Sequence, residues 1–109
     1  MKRIIPRTRA SEDIEAVVEH YLVHVGQQVA LNFVDEVERT YSRMARYPAS
    51  GSPRYAFELG IAELRHIRLN GFPYLIFYVE LSSHIDVWRV LHAHRDVPSW
   101  LEPDVSHFR

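Results

Sequence analysis

Six residues in the second half of the chain have side chains suited to acid–base or phosphate chemistry: His66, Arg68, His92, His94, Arg95 and Asp96. Histidine titrates near neutral pH and can pass protons. Arginine holds phosphate or carboxylate through paired hydrogen bonds. Together such groups could cut RNA, with cations on the scissile phosphate, one group activating the ribose 2′-OH and one protonating the leaving oxygen. His92-Ala93-His94 also has the outline of a metal site, but no HExxH pattern accompanies it and the signal is weak. There is no glycine-rich phosphate loop, and no nucleophile–base pair can be read from the spacing. No metal and no cofactor is expected. The bland alternative for these residues is the solvated or partner-facing end of a sheet.

The elements that carry them are legible. "RLNGFPYLIFYVELSSHIDVWRVLHAHRD", Arg68 to Asp96, reads as apolar strands separated by turns. Asn70-Gly71 is a two-residue hairpin signal, because both positions tolerate positive φ. It joins a strand near Glu63–Leu69 to one near Phe72–Glu80, pairing Leu69 with Phe72, Ile67 with Tyr74 and Arg65 with Ile76. Ser82-Ser83 turns the chain into a strand at His84–His92, pairing Ile76 with Arg89 and Leu75 with Val90. Alternation then places Arg65, Ile67, Leu69, Phe72, Tyr74, Ile76, Tyr78, Val87, Arg89 and Leu91 on one face. The other face holds Leu64, His66, Arg68, Leu75, Phe77, Val79, Trp88, Val90 and His92. A slip of one residue would exchange the faces of the last strand.

The first half supplies helices. Arg3 to Thr8 can form a short strand, and Pro6 suits an edge position. Ser11 is the candidate N-cap of a first helix, with Glu12, Asp13 and Glu15 placed for its dipole. Ile14, Val17, Val18, Tyr21, Leu22 and Val25 make its apolar stripe, and Gly26 ends it. A second helix runs from about Gln27 to Tyr47 on a stripe of Ala30, Phe33, Val34, Val37, Tyr41 and Met44, and Pro48 stops it. The short break predicts an antiparallel helical hairpin. Pro48 to Gly60 reads as a loop, and the tail from Ala93 has room for a helical turn around Ser99.

The expected fold is therefore a single α+β domain over residues 1–109, with an antiparallel sheet of about four strands and an N-terminal helical hairpin on one face, in the order β-α-α-β-β-β. One hairpin can cover only one of two apolar faces. The uncovered face is expected to meet a partner through Leu75, Phe77, Trp88 and Val90, with Arg68, Arg95 and Asp96 at its polar end. The alternative cover is the tail, through Val97, Trp100 and Leu101.

Composition narrows the classes. A net charge of -1 argues against gripping nucleic acid over the whole surface, so no sequence-specific nucleic-acid binding is expected. The charge is uneven: acids alone from Ser11 to Glu38, then a basic balance from Arg39 to Arg95. That basic half is either a functional face or is paired internally, with Arg65 and Arg89 matched to an acid such as Asp13 or Glu15. There is no cysteine, no signal-like apolar run and no stretch long enough to span a bilayer, so a cytoplasmic location without membrane contact is expected.

The segments "ASEDIEAVVEHY", "NFVDEVERTYSRMARYPASGSP", "ELRHIRLNGFPYLIFYVE" and "IDVWRVLHAHRD", in this order, resemble the ParE branch of the RelE/ParE toxin superfamily from Arg3 to about Leu101. The resemblance implies the toxin of a type II toxin–antitoxin pair, as in plasmid stabilisation. Its partner would be a cognate ParD-like antitoxin with a ribbon-helix-helix or similar domain, in a toxin–antitoxin hetero-oligomer. Its target would be DNA gyrase, inhibited by direct binding and without chemistry of its own. The RelE branch instead cleaves mRNA on the ribosome. The cations and base of that branch would fall on His66, Arg68, Leu75 and Arg95, with a C-terminal tyrosine position near Leu101; His92 would complete a nuclease set of His66, Arg68, His92 and Arg95. Leucine at position 75 cannot hold phosphate charge, which favours the gyrase reading. A non-toxic, antitoxin-binding remnant of the fold is the third alternative.

Overall fold

In the computed structural model, which describes residues 1–94, the chain runs β1 (Arg3–Pro6), α1 (Thr8–His24), α2 (Gln27–Arg46), α3 (Arg54–Leu59), β2 (Leu64–Arg68), β3 (Tyr74–Glu80) and β4 (His84–His92), with a 3₁₀ turn at Pro48–Ser50. The sheet order is β1-β4-β3-β2. β2, β3 and β4 form the expected antiparallel meander, while β1 lies parallel to β4. The sheet is thus mixed and not wholly antiparallel. A parallel neighbour needs a long crossover connection, and the whole α1–β3 segment supplies one. Pro6 stands on the β1 edge, where a missing N–H removes no ladder bond.

α1 begins a turn earlier than Ser11. The Arg7 amide still extends the sheet, donating to Val87 O at 2.9 Å, and the helix starts directly at Thr8. Glu12 and Asp13 therefore sit beyond the first turn, and Ser11 is an ordinary helical residue whose N–H donates to Arg7 O. Gly26 adopts φ 144°, a conformation that favours glycine, and lets α2 fold back along α1. Phe33, Val37 and Met44 on α2 and Val17 on α1 are buried against the sheet face formed by Ile67, Leu69, Ile76, Tyr78, Ile85 and Val87. Each large side chain so buried contributes about 1.5–3 kcal/mol.

Two registers differ from expectation, with opposite consequences. The Asn70-Gly71 hairpin is longer than two residues: Leu69 N–H donates to Tyr74 O, and Ile67 faces Ile76. Pro73, which has no N–H to offer a ladder, is left in the loop, and Phe72 turns inward to pack 5.4 Å from Phe33. The shift is two residues, so every side chain on β2 keeps its face. On β4 the shift is one. Phe77 pairs with Arg89 but Tyr78 pairs with Val87, so Trp88 is an extra, bulged residue. Beyond it the faces exchange. Val90 joins the helix-side core, and Leu91 packs on the opposite face with Leu64, Leu75, Phe77, Val79 and Trp88.

The second face is also covered. The segment read as a loop contains α3, whose Tyr55, Ala56 and Leu59, followed by Ile61, pack on that face. Helical spacing over six residues is too short a signal to stand out between prolines and glycines. The tail elements expected around Ser99, and the cover expected from Val97, Trp100 and Leu101, lie outside the described residues.

Candidate functional site

The bulge is held from the helical layer. The Asp13 carboxylate on α1 accepts two hydrogen bonds from the Arg89 guanidinium, at 2.8 Å from Nε and 2.9 Å from Nη2. It also accepts the Val90 N–H at 3.0 Å. A bulge disrupts the ladder locally, and Asp13 gives the Val90 amide an acceptor. Asp13 is thus the acid expected opposite Arg89. Arg65 behaves differently: its guanidinium donates to the carbonyls of Gly51 at 2.7 Å and Ala49 at 3.3 Å.

The same bulge separates the nuclease candidates. His66 lies on the α3 side, its ring 5.2 Å from Tyr55 and 5.5 Å from Phe77. Burial, then the nearby Arg54 charge, pushes its pKa below the ordinary 6.5. Its Nδ1 is buried without a hydrogen-bond partner among the described residues. His92 lies on the other side of the sheet, 5.2 Å from Tyr74, in an open groove of about 610 Å³ shared with Asp13, His20 and Tyr21 of α1. Its Nδ1 accepts the His94 N–H at 3.1 Å. Arg68 is exposed at the end of β2. His66 and His92 are therefore not brought together around one phosphate; Arg95 lies outside the described residues.

Of the residues expected to meet a partner, Leu75, Phe77 and Trp88 do share the second face, but at 8, 0 and 6% exposure they belong to the buried cluster against which α3 packs. The Trp88 indole N–H donates to Asp86, whose carboxylate also takes a bidentate pair from Arg7, and Arg7 stacks 4.5 Å from the indole ring. Val90 is 3% exposed and faces the helices, a correction that follows directly from the bulge. Asp96, like Arg95, lies outside the described residues.

What the sequence reading missed is the free end of the helical hairpin. Leu22 and Val25, assigned to the core stripe, are exposed, as are Val23 and Leu31. From His20 to Val34 there is no Asp, Glu, Lys or Arg. The hairpin end is thus uncharged and glutamine-bearing, with bulky aliphatics on its outer side. The charge gap was the signal that could have found it. Also missed was Glu36, buried on α2, whose carboxylate takes the Asn70 N–H at 2.9 Å and so ties the β2–β3 loop to the helices. A third feature is the anchored loop before α3. The Tyr78 hydroxyl donates to Pro48 O at 2.7 Å and accepts the Gly51 N–H at 3.0 Å. A Cβ at Gly51 would collide with that hydroxyl, so only glycine fits there.

With this geometry in hand, comparison with known proteins is specific. The family described as "ParE toxin of type II toxin-antitoxin system, parDE" matches over residues 4–97. Among solved structures the chain is similar to one titled "Chromosomal ParDE TA system from P. aeruginosa", with a TM-score of 0.72 and 19% identity, covering 86% of this chain and 98% of that one. At that identity the likeness is one of fold. No curated protein matches the chain.

Proposed function

Because the chain belongs to the ParE toxin family of type II toxin–antitoxin systems, we propose that it inhibits DNA gyrase by direct binding and is neutralised by a cognate ParD-like antitoxin. The observation that carries a binding mode over a catalytic one is the exposed, charge-free hairpin end of Leu22, Val23, Val25 and Leu31. It is a surface for protein contact and offers nothing to a phosphate. The separation of His66 from His92 by the sheet supports the same choice. We assign the target contact to the hairpin end, Leu22, Val23, Val25 and Leu31. Leu75, Phe77 and Trp88 would meet only a partner that opens the buried cluster on the second face, and Val90 only one that parts the helices from the sheet.

The test is inducible expression in bacteria with growth, DNA-damage signalling and mRNA integrity followed together, and supercoiling by purified gyrase assayed in parallel. Growth arrest with DNA-damage signalling and lost supercoiling is the expected result. Arrest with cut mRNA and intact supercoiling would replace this reading with ribosome-dependent RNA cleavage. No arrest despite soluble protein would leave a non-toxic, antitoxin-binding domain. Leu22→Asp with Val23→Asp changes only exposed positions, so stability should move by less than about 1 kcal/mol while gyrase inhibition is lost. Unchanged inhibition would remove the hairpin end from the account.

A further inference from the structure

The basic half of the chain remains unexplained by protein docking. Several cations elsewhere meet acids: Lys2 with Glu80, Arg7 with Asp86, Arg39 with Glu36 and Arg89 with Asp13. Around the loop before α3 they do not. Arg43 on α2 and Arg68 at the end of β2 line one open pocket of about 370 Å³ with Ser50, Ser52 and His66. Neither Arg43 nor Arg68 forms an ion pair among the described residues. Arg65 beside them spends its hydrogen bonds on the carbonyls of Ala49 and Gly51, which orient the loop but neutralise no charge. Arg54 stacks 5.4 Å from the Tyr55 ring and likewise has no acid partner among the described residues.

Four guanidinium groups thus surround one short loop in a chain whose net charge is -1. Such clustering raises the local potential and is relieved by an anion. The pocket offers suitable donors. Ser52 Oγ accepts the Arg54 N–H at 3.2 Å, leaving its own O–H to donate. The loop is rigid at this point, because Ser52 N–H and C=O are both bonded to His66 across the β2 edge, at 2.9 and 3.0 Å. The positive charge also continues past the pocket. Arg39 (which also meets Glu36), Arg43 and Arg46 recur at helical spacing on one side of α2, a row about 10 Å long. A single small anion needs one such group; a row suits the regular charge spacing of a nucleic-acid strand.

We propose that this pocket seats a backbone phosphate of DNA or RNA through Arg43, Arg68 and Ser52, in a contact independent of sequence. It goes beyond the gyrase reading and does not depend on it. The contact uses the edge of β2, away from the hairpin end assigned to protein docking.

The experiment is fluorescence anisotropy of the full chain with a short labelled DNA duplex, and separately a labelled single-stranded RNA, between about 50 and 200 mM salt. Saturable binding that weakens with salt is expected for at least one of them. The Arg43→Ala/Arg68→Ala double variant should lower the slope of log K against log salt by about 2. Arg3→Ala, an exposed cation on β1 at the far edge of the sheet, should leave that slope unchanged. Should the double variant fail to fold, Arg43→Glu and Arg68→Glu singly provide the same readout. Absence of binding to both probes at the lowest salt overturns the proposal. So does an unaltered slope in the pocket variants, or an equal loss in Arg3→Ala, which would mean diffuse charge. Calorimetric binding of inorganic phosphate alone, lost in the pocket variants but with no oligonucleotide bound, would overturn the nucleic-acid assignment in favour of a free anion.

Discussion

Replacing Asp13 by alanine tests how the helical layer is fixed to the sheet. The carboxylate accepts two charge-assisted hydrogen bonds from Arg89 and one from the Val90 amide. Both side chains of the pair are mostly buried, at 4 and 17% exposure. Breaking a buried pair by removing one member costs about 3–5 kcal/mol. Each charge-assisted bond taken alone is worth about 1.5–3 kcal/mol, which reaches the same range from the two Arg89 bonds. A loss near 4 kcal/mol is a large share of the roughly 5–15 kcal/mol that holds a domain folded. At about 4 °C per kcal/mol it lowers Tm by some 16 °C. Chemical denaturation with a double-mutant cycle is the assay, using Asp13→Ala, Arg89→Met and the pair. The double variant should be less destabilised than the two singles summed, by about 2–3 kcal/mol. Hydrogen exchange should quicken at Val90 in Asp13→Ala. A single-variant cost under about 1 kcal/mol, with no coupling, would refute the idea that this carboxylate locks α1 onto the bulge.

Three further outcomes follow from buried polar groups. Tyr41 has a buried hydroxyl without a partner among the described residues, and burial pushes its pKa up to about 12. Tyr41→Phe should hold or raise the unfolding free energy, by up to about 1 kcal/mol, and remove a phenol that titrates late in an ultraviolet pH titration. Tyr78→Phe strips the loop anchor from Pro48 O and the Gly51 N–H, and should cost about 1–3 kcal/mol with faster hydrogen exchange at Gly51. His66 has a folded-state pKa below its unfolded value near 6.5, so the unfolded chain binds the extra proton. Its contribution is complete above pH 6.5 and is lost as pH falls through the depressed folded pKa. Denaturation from pH 7.5 to 4.5 should show a smaller acid loss in His66→Gln than in the native chain.

The sequence by itself determined the two long helices and the four strands and their order, but not α3. Helical and alternating periodicities are local, so α2 from Gln27 and β4 from His84 to His92 were legible to the residue. It also carried the family, through segments spread over nearly the whole chain. Only the tertiary structure decided which side chains share a surface. Trp88 looks like any strand residue, yet its insertion as a bulge sends Val90 and His92 to the helix side and Leu91 to the other. A bulge is chosen by what lies across from it, here an aspartate 76 residues earlier that accepts the Arg89 bonds. Exposure is decided in the same way. Leu22 and Val25 continue a stripe of correct spacing, but the stripe outruns the sheet, and the hairpin end has nothing left to pack against. The charges show the same limit. Composition gives the balance of acids and bases, whereas the fold alone determines that Asp13 meets Arg89 while Arg43 and Arg68 meet no acid among the described residues.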